Sequence, residues 1–239
     1  MSQVRTRRRW RWLIVIGAAA VLVVALRTVI TAPPAAPEVS DSVPSRLVVI
    51  GLEGRTRPDA TDRAVIDRAE ADGRSVQVGA MSIRSRYLGA CAAAGWATLG
   101  AGRRTDVGGL CDVRVTGSSV AGFPARQRAA AANWGDARLG TLSATASAGG
   151  GGCVAAVGPG AALAAARPDG TVPEYLSVGT YMAGGYASPC PVTIVDPGRQ
   201  ADQVIAAAAR LPDTAVIVSG IGPAAGSTDP ALQVIYRLG

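Results

Sequence analysis

The sequence predicts a three-layer α/β/α domain with a largely parallel sheet, preceded by one N-terminal transmembrane helix. Two observations predict the domain. Short continuous apolar runs recur at Leu47–Ile50, Cys153–Val157, Pro191–Val195 and Ala215–Val218, long enough for buried strands and too short for helices. Between them stand Ala-rich or amphipathic stretches of helical length bounded by Gly and Pro, and such alternation builds parallel sheets with helices on both faces. A third observation, an arginine-flanked apolar run at the N-terminus, predicts the membrane helix.

That run is Trp12–Leu26, followed by Arg27 and extended by Val29 and Ile30. Its uncharged part falls short of the ~20 residues a span needs, but Arg27 can snorkel to the far interface. Arg5–Arg11 suits the cytoplasmic side, and Trp10 and Trp12 suit the near interface. The chain therefore divides into a basic cytoplasmic tail (1–11), an anchor (12–30), a stiff Pro/Ala linker (31–45) and an extracytoplasmic domain (46–239). A cleaved signal peptide is the alternative, with the domain then secreted. An uncleaved anchor is preferred because no Ala-x-Ala site closes the apolar run.

Within the domain, Leu47–Ile50 is the first strand and leads into the Gly-rich turn Gly51–Asp59. A helix is predicted over Ala60–Asp72, capped by Asp59 or Thr61 and stopped by Gly73. Ser75–Met81 is the next strand. Ala90–Arg104 is a helix of small residues around Trp96, closing on Gly100 and Gly102, and small residues let it lie close to its neighbours. Thr105–Arg126 is an excursion with one short strand, and Gln127–Ala148 is Ala-rich and predicted to be helical through much of its length. After Gly149–Gly152 come strand Cys153–Val157, the turn Gly158-Pro159-Gly160 and a helix ending near Arg167. Thr171–Pro189 is a loop with three tyrosines. Pro191–Val195 is a strand ending at Asp196, Gln200–Leu211 a helix, and Ala215–Val218 and Leu232–Tyr236 the last two strands.

Charge and cysteine usage narrow the function classes. The net charge of +7 comes from 24 basic residues, all arginine, but six of these lie in the first thirty residues, which carry no acid. The remainder holds 18 arginines against 17 acids, which is no footprint for a nucleic acid. Cys91, Cys111, Cys153 and Cys190 are too widely spaced for a zinc knuckle, and the chain has no His. An even count in an oxidising compartment implies disulfides, with three connectivities open. Cys153 and Cys190 each open an apolar run, and neighbouring parallel strands bring their starts together. The preferred pairing is thus Cys153–Cys190 with Cys91–Cys111.

Several segments carry a resemblance. Val48–Arg55 is similar to the opening strand of the alkaline phosphatase superfamily, with Glu53 where the family has a metal-binding Asp. Thr61–Gly73 resembles its first helix. Ala90–Arg104 resembles the nucleophile segment, with Ala90 in place of the hydroxyl residue. Val192–Arg199 resembles the strand bearing a second metal-binding Asp: Asp196 is kept and Arg199 replaces a His. Ala215–Gly222 resembles the strand before an Asp-His-Gly triplet, here Gly220-Ile221-Gly222. Cys91–Gly102 and Val154–Ala166 are more similar still to segments of a group of actinobacterial membrane proteins that look like diverged members of that superfamily.

The resemblance implies the fold without its chemistry. Two clustered divalent ions need about six Asp and His ligands to activate a nucleophile and clamp phosphate oxygens. Here Glu53 and Asp196 are the metal-ligand candidates, Thr98 is a stand-in hydroxyl two turns along, and no cofactor is expected. Gly158 and Gly160 can present a helix N-terminus to an anion, or simply make a tight strand-to-helix turn. Arg103 and Arg104 can grip an anion, or stabilise their own helix C-terminus. Tyr175, Tyr181 and Tyr186 can stack on a sugar or headgroup, or supply the aromatic cover that a core with one Phe lacks.

The expected function is thus a membrane-anchored, phosphatase-like extracytoplasmic domain without catalysis, acting in binding or assembly at the cell envelope. The alternatives are a divergent metal-dependent phospho- or sulfo-ester hydrolase and a truncated copy of a longer membrane protein. The resemblance implies that the family continues beyond the last strand here. Leu232–Tyr236 is then expected at a sheet edge, or leaving its neighbours partly uncovered. Such an edge favours self-association or a protein partner, beside the membrane itself.

Overall fold

The computed structural model describes residues 44–81, 91–134, 136–148, 152–223 and 232–239. The expected tail and anchor, most of the linker, and Ala90 lie outside the described residues. Among those described, no helix is long and apolar enough to cross a membrane.

Seven strands form one sheet. They are β1 (Arg46–Glu53), β2 (Val76–Met81), β5 (Val154–Val157), β6 (Tyr175–Leu176), β7 (Val192–Val195), β8 (Thr214–Gly222) and β9 (Gln233–Leu238). A separate hairpin pairs β3 (Val115–Thr116) with β4 (Ser119–Val120), one strand more than the excursion was expected to hold. The sheet order is β2-β9-β8-β1-β7-β5-β6. β6, β5, β7, β1 and β8 run parallel, and β9 is antiparallel to both of its neighbours. The apolar runs fill the middle because a parallel strand covered on both faces has no wet side: all four residues of β5 are buried.

The helices divide between the two faces. α1 (Ala60–Ala71), α6 (Val178–Ala183) and α7 (Ala201–Ala208) contribute Ala69, Tyr181, Val204 and Ile205 to a core built on Ile50, Val195, Val218 and Tyr236. α2 (Ala92–Ala101), α3 (Phe123–Trp134), α4 (Thr141–Ala148) and α5 (Pro159–Ala165) share the second core with Val154, Ala156, Ile194 and Ile221. Alanine-rich helices bury area only by close approach, and the glycines of α2 permit it. A Cβ on Gly95 would stand 1.7 Å from the Ile221 carbonyl oxygen, and one on Gly100 would stand 2.6 Å from that of Ala164.

Asp59 rather than Thr61 caps α1. Its carboxylate accepts the Asp62 N–H at 2.9 Å while Asp62 accepts the Asp59 N–H at 3.0 Å, a reciprocal capping box. The helical stretch expected over Gln127–Ala148 is present as the later part of α3 and the whole of α4. The Gln127 side chain accepts the Leu139 N–H at 2.8 Å and donates to the Ala137 carbonyl at 3.2 Å, so it fixes the break between them. The tyrosine loop contains β6 and α6, and Ser177 caps α6 through the Thr180 N–H at 3.0 Å.

Of the two arrangements expected for the last strand, the edge position is not the one found. β9 is interior, flanked by β8 and β2, and the bare edge belongs to β2. The chain reaches that edge early, through α1, and β9 later fills the gap that β2 had left beside β8. Two disulfides join Cys91 to Cys111 and Cys153 to Cys190. With no cysteine free, they place the domain in an oxidising, extracytoplasmic environment.

Candidate functional site

Ligands of open α/β sheets sit outside the carboxyl ends of the strands, where successive connections leave in opposite directions. Here that place lies between β5 and β7. After β5 the chain turns outward to β6, whereas after β7 it crosses β1 to reach β8. Asp196 follows β7, Gly158-Pro159-Gly160 follows β5, Glu53 ends β1 beside β7, and Tyr175 opens β6.

The Asp196 carboxylate is already engaged. Its Oδ2 accepts the Gly160 N–H at 2.8 Å, so the amide expected to face an external anion faces an internal one. The turn is built tightly around this contact: Gly158 has φ 82°, and a Cβ there would stand 2.3 Å from the Asp196 carbonyl oxygen. Burial pushes the Asp196 carboxyl above its usual range, against the opposing pull of the Gly160 and Gly198 amides. Glu53 is raised too, by burial first and by the negative charge of Asp196 second. The Tyr175 phenol is raised by burial and by Asp196. Glu53, Asp196 and Tyr175 therefore share one electrostatic environment.

Trp96 reaches the same place from α2. Its ring lies against Gly51, where a Cβ would stand 2.2 Å from the ring edge, and it is 1% exposed. A Cβ on Gly160 would meet the indole nitrogen at 2.2 Å and Asp196 Oδ2 at 2.7 Å. The indole N–H is buried without a hydrogen-bond partner among the described residues. The sequence marks Trp96 as the bulky residue of a small-residue helix. That its ring lies against Gly160, near Asp196, is a consequence of α2 packing across the ends of β1 and β8.

The other candidates lie apart from this place. Arg103 and Arg104 follow α2 at the end opposite to the one that meets Gly222, and Arg103 pairs with Asp136. Thr98 accepts the Thr105 N–H at 3.2 Å, so its hydroxyl closes the turn after α2. Tyr181 is 1% exposed and stacks edge-on with Tyr186, ring centres 5.5 Å apart, which is the aromatic-cover role. Among the described residues no group of three or more His, Cys, Asp or Glu side chains is gathered as a metal site.

A buried network absent from the sequence reading lies beyond the end of β1. Asp62 is 0% exposed; it accepts the Tyr236 hydroxyl at 2.8 Å and Arg55 Nη1 at 3.1 Å, and Arg55 also pairs with Asp59. Burial and the Asp62 carboxylate both push the Tyr236 phenol upward. Every oxygen of Asp62 is bonded, and the network ties α1 to β9. No family model, curated protein or solved structure matches the chain.

Proposed function

We propose that this chain is an extracytoplasmic α/β domain of the diverged alkaline phosphatase type, tethered through its N-terminus, that acts in binding or assembly at the cell envelope without ester hydrolysis. The observation that carries the reading is the Asp196–Gly160 hydrogen bond of 2.8 Å. The carboxylate that would have to hold a metal is instead the internal counter-ion of a helix N-terminus. With Glu53 beside it, the site offers two candidate carboxylates where a two-metal centre takes about six ligands.

One observation favours hydrolysis as the second reading. Glu53 and Asp196 stand at the ends of adjacent parallel strands, and the negative charge of Asp196 acts on Glu53, which suits a single hard cation. Turnover of an aryl phosphate and an aryl sulfate by the full chain, with added zinc or manganese, separates the two. The proposal predicts no hydrolysis above the uncatalysed rate. Metal-dependent turnover lost in Glu53→Ala or Asp196→Ala establishes the second reading instead.

A further inference from the structure

The two edges of the sheet are treated differently. β6 is two residues long and passes directly into the capped helix α6, so it offers almost no unpaired backbone. β2 is six residues long, Val-Gln-Val-Gly-Ala-Met, with five of the six exposed. It carries no charge, no proline and no bulge, and all six residues pair in unbroken register with β9. Among the described residues none of the usual protections of an edge strand is present. Three of the four large hydrophobic residues exposed among those described gather here: Val78 at 57%, Met81 at 38% and Leu232 at 57%.

The direction of the free backbone groups follows from the ladder. Gly239 donates its N–H to the Ser75 carbonyl at 3.0 Å, and antiparallel ladders alternate. Gln77, Gly79 and Met81 therefore turn their groups toward β9, and Val76, Val78 and Ala80 turn theirs outward. These three residues are spaced symmetrically about Val78. A two-fold axis through Val78 pairs it with Val78 of a second copy, and pairs Val76 with Ala80 on either side. Every outward donor then meets an acceptor, and no charged side chain of either strand faces another. A β-branched pair forms at the centre, on the face that β2 shares with Tyr236 and Leu238.

We propose that β2 is the seam of a homodimer in which two sheets join edge to edge through antiparallel β2–β2 pairing centred on Val78. A second copy is the occupant because the edge complements itself in register and neither strand brings a charge to the seam. This inference is independent of whether the site at the carboxyl ends is inert.

The test uses the full chain in detergent micelles. Val78→Cys, oxidised mildly, is expected to give a reducible covalent dimer in most chains, because residues opposite one another in a bonded antiparallel pair have Cα atoms about 5.5 Å apart, within disulfide reach. Arg199→Cys, on the exposed turn before α7, is the control and should cross-link far less. Val78→Lys sets like charges face to face and is expected to weaken the dimer at least tenfold in sedimentation, with the melting temperature of the monomer unchanged. Cross-linking of Val78→Cys no better than of Arg199→Cys overturns the proposal. So does a dimer that persists at the same strength in Val78→Lys. If Val78→Lys fails to fold, the cysteine pair decides alone.

Discussion

Asp196 closes β7 at the carboxyl end of the sheet, and its carboxylate is bonded within the fold. Its carboxylate stands at the end of β7, half-sheltered by α5 and Trp96, and satisfies the Gly160 amide. Charge in that place carries a desolvation cost, which holds the Asp196 carboxyl above its usual range. When a folded-state pKa is raised, the native chain binds protons more readily than the unfolded one, so stability falls as pH rises through the window between the two values. At neutral pH the cost is fully present, and acidification relieves it. The melting temperature of the wild type minus that of Asp196→Asn should therefore grow as pH falls from neutral toward the ordinary Asp range near about 4. A constant or shrinking difference in calorimetry contradicts the desolvation account. Asp196 was legible in the sequence because it closes an apolar run, and Glu53 only through the resemblance carried by Val48–Arg55. The Gly160 amide that bonds Asp196 and the Trp96 ring nearby were not, since they arrive only once β5 lies beside β7 and α2 crosses β1.

Elements were legible where burial on both faces imposes a pattern and illegible where pairing is brief. β1, β5, β7 and β8 are read from Val and Ile runs, and α1 from its Asp59 cap. β6 has only two residues and no period to detect, and α6 is a single short turn sequence inside a Gly-rich stretch. The break between α3 and α4 depends on the Gln127 side chain bonding across to Leu139, which no propensity encodes. α2 carries the most specific packing claim. Gly95 admits the Ile221 carbonyl to 1.7 Å of where a Cβ would stand, whereas Gly73 has open space around it and only its φ of +74° to satisfy. Gly95→Ala should cost about 3 kcal/mol or more, because backbone on both sides must move. Gly73→Ala should cost about 1 kcal/mol, the conformational penalty alone. Equal losses in denaturant titrations contradict the close packing of α2 on β8.

At the scale of the whole molecule, the fold class followed from strand–helix alternation, and the two disulfides agree with an oxidising compartment. The strand order did not follow from it. A chain that visits the far edge with β2 and returns to insert β9 leaves the same sequence pattern as one that ends at the edge, since both give an apolar run near the C-terminus. That order decides which strand is bare, and it sets Glu53 and Asp196 side by side on β1 and β7. The central claim is that Asp196 serves the fold and that it holds no metal with Glu53. A cation that binds the folded state alone stabilises it by RT ln(1 + [L]/Kd), about 2.7 kcal/mol at a hundredfold excess over Kd. The direct measurement is the melting temperature of the full chain with chelator and with millimolar calcium, manganese or zinc. The account predicts the same temperature in every condition. A rise of several degrees with one cation, abolished by Glu53→Gln, would contradict it.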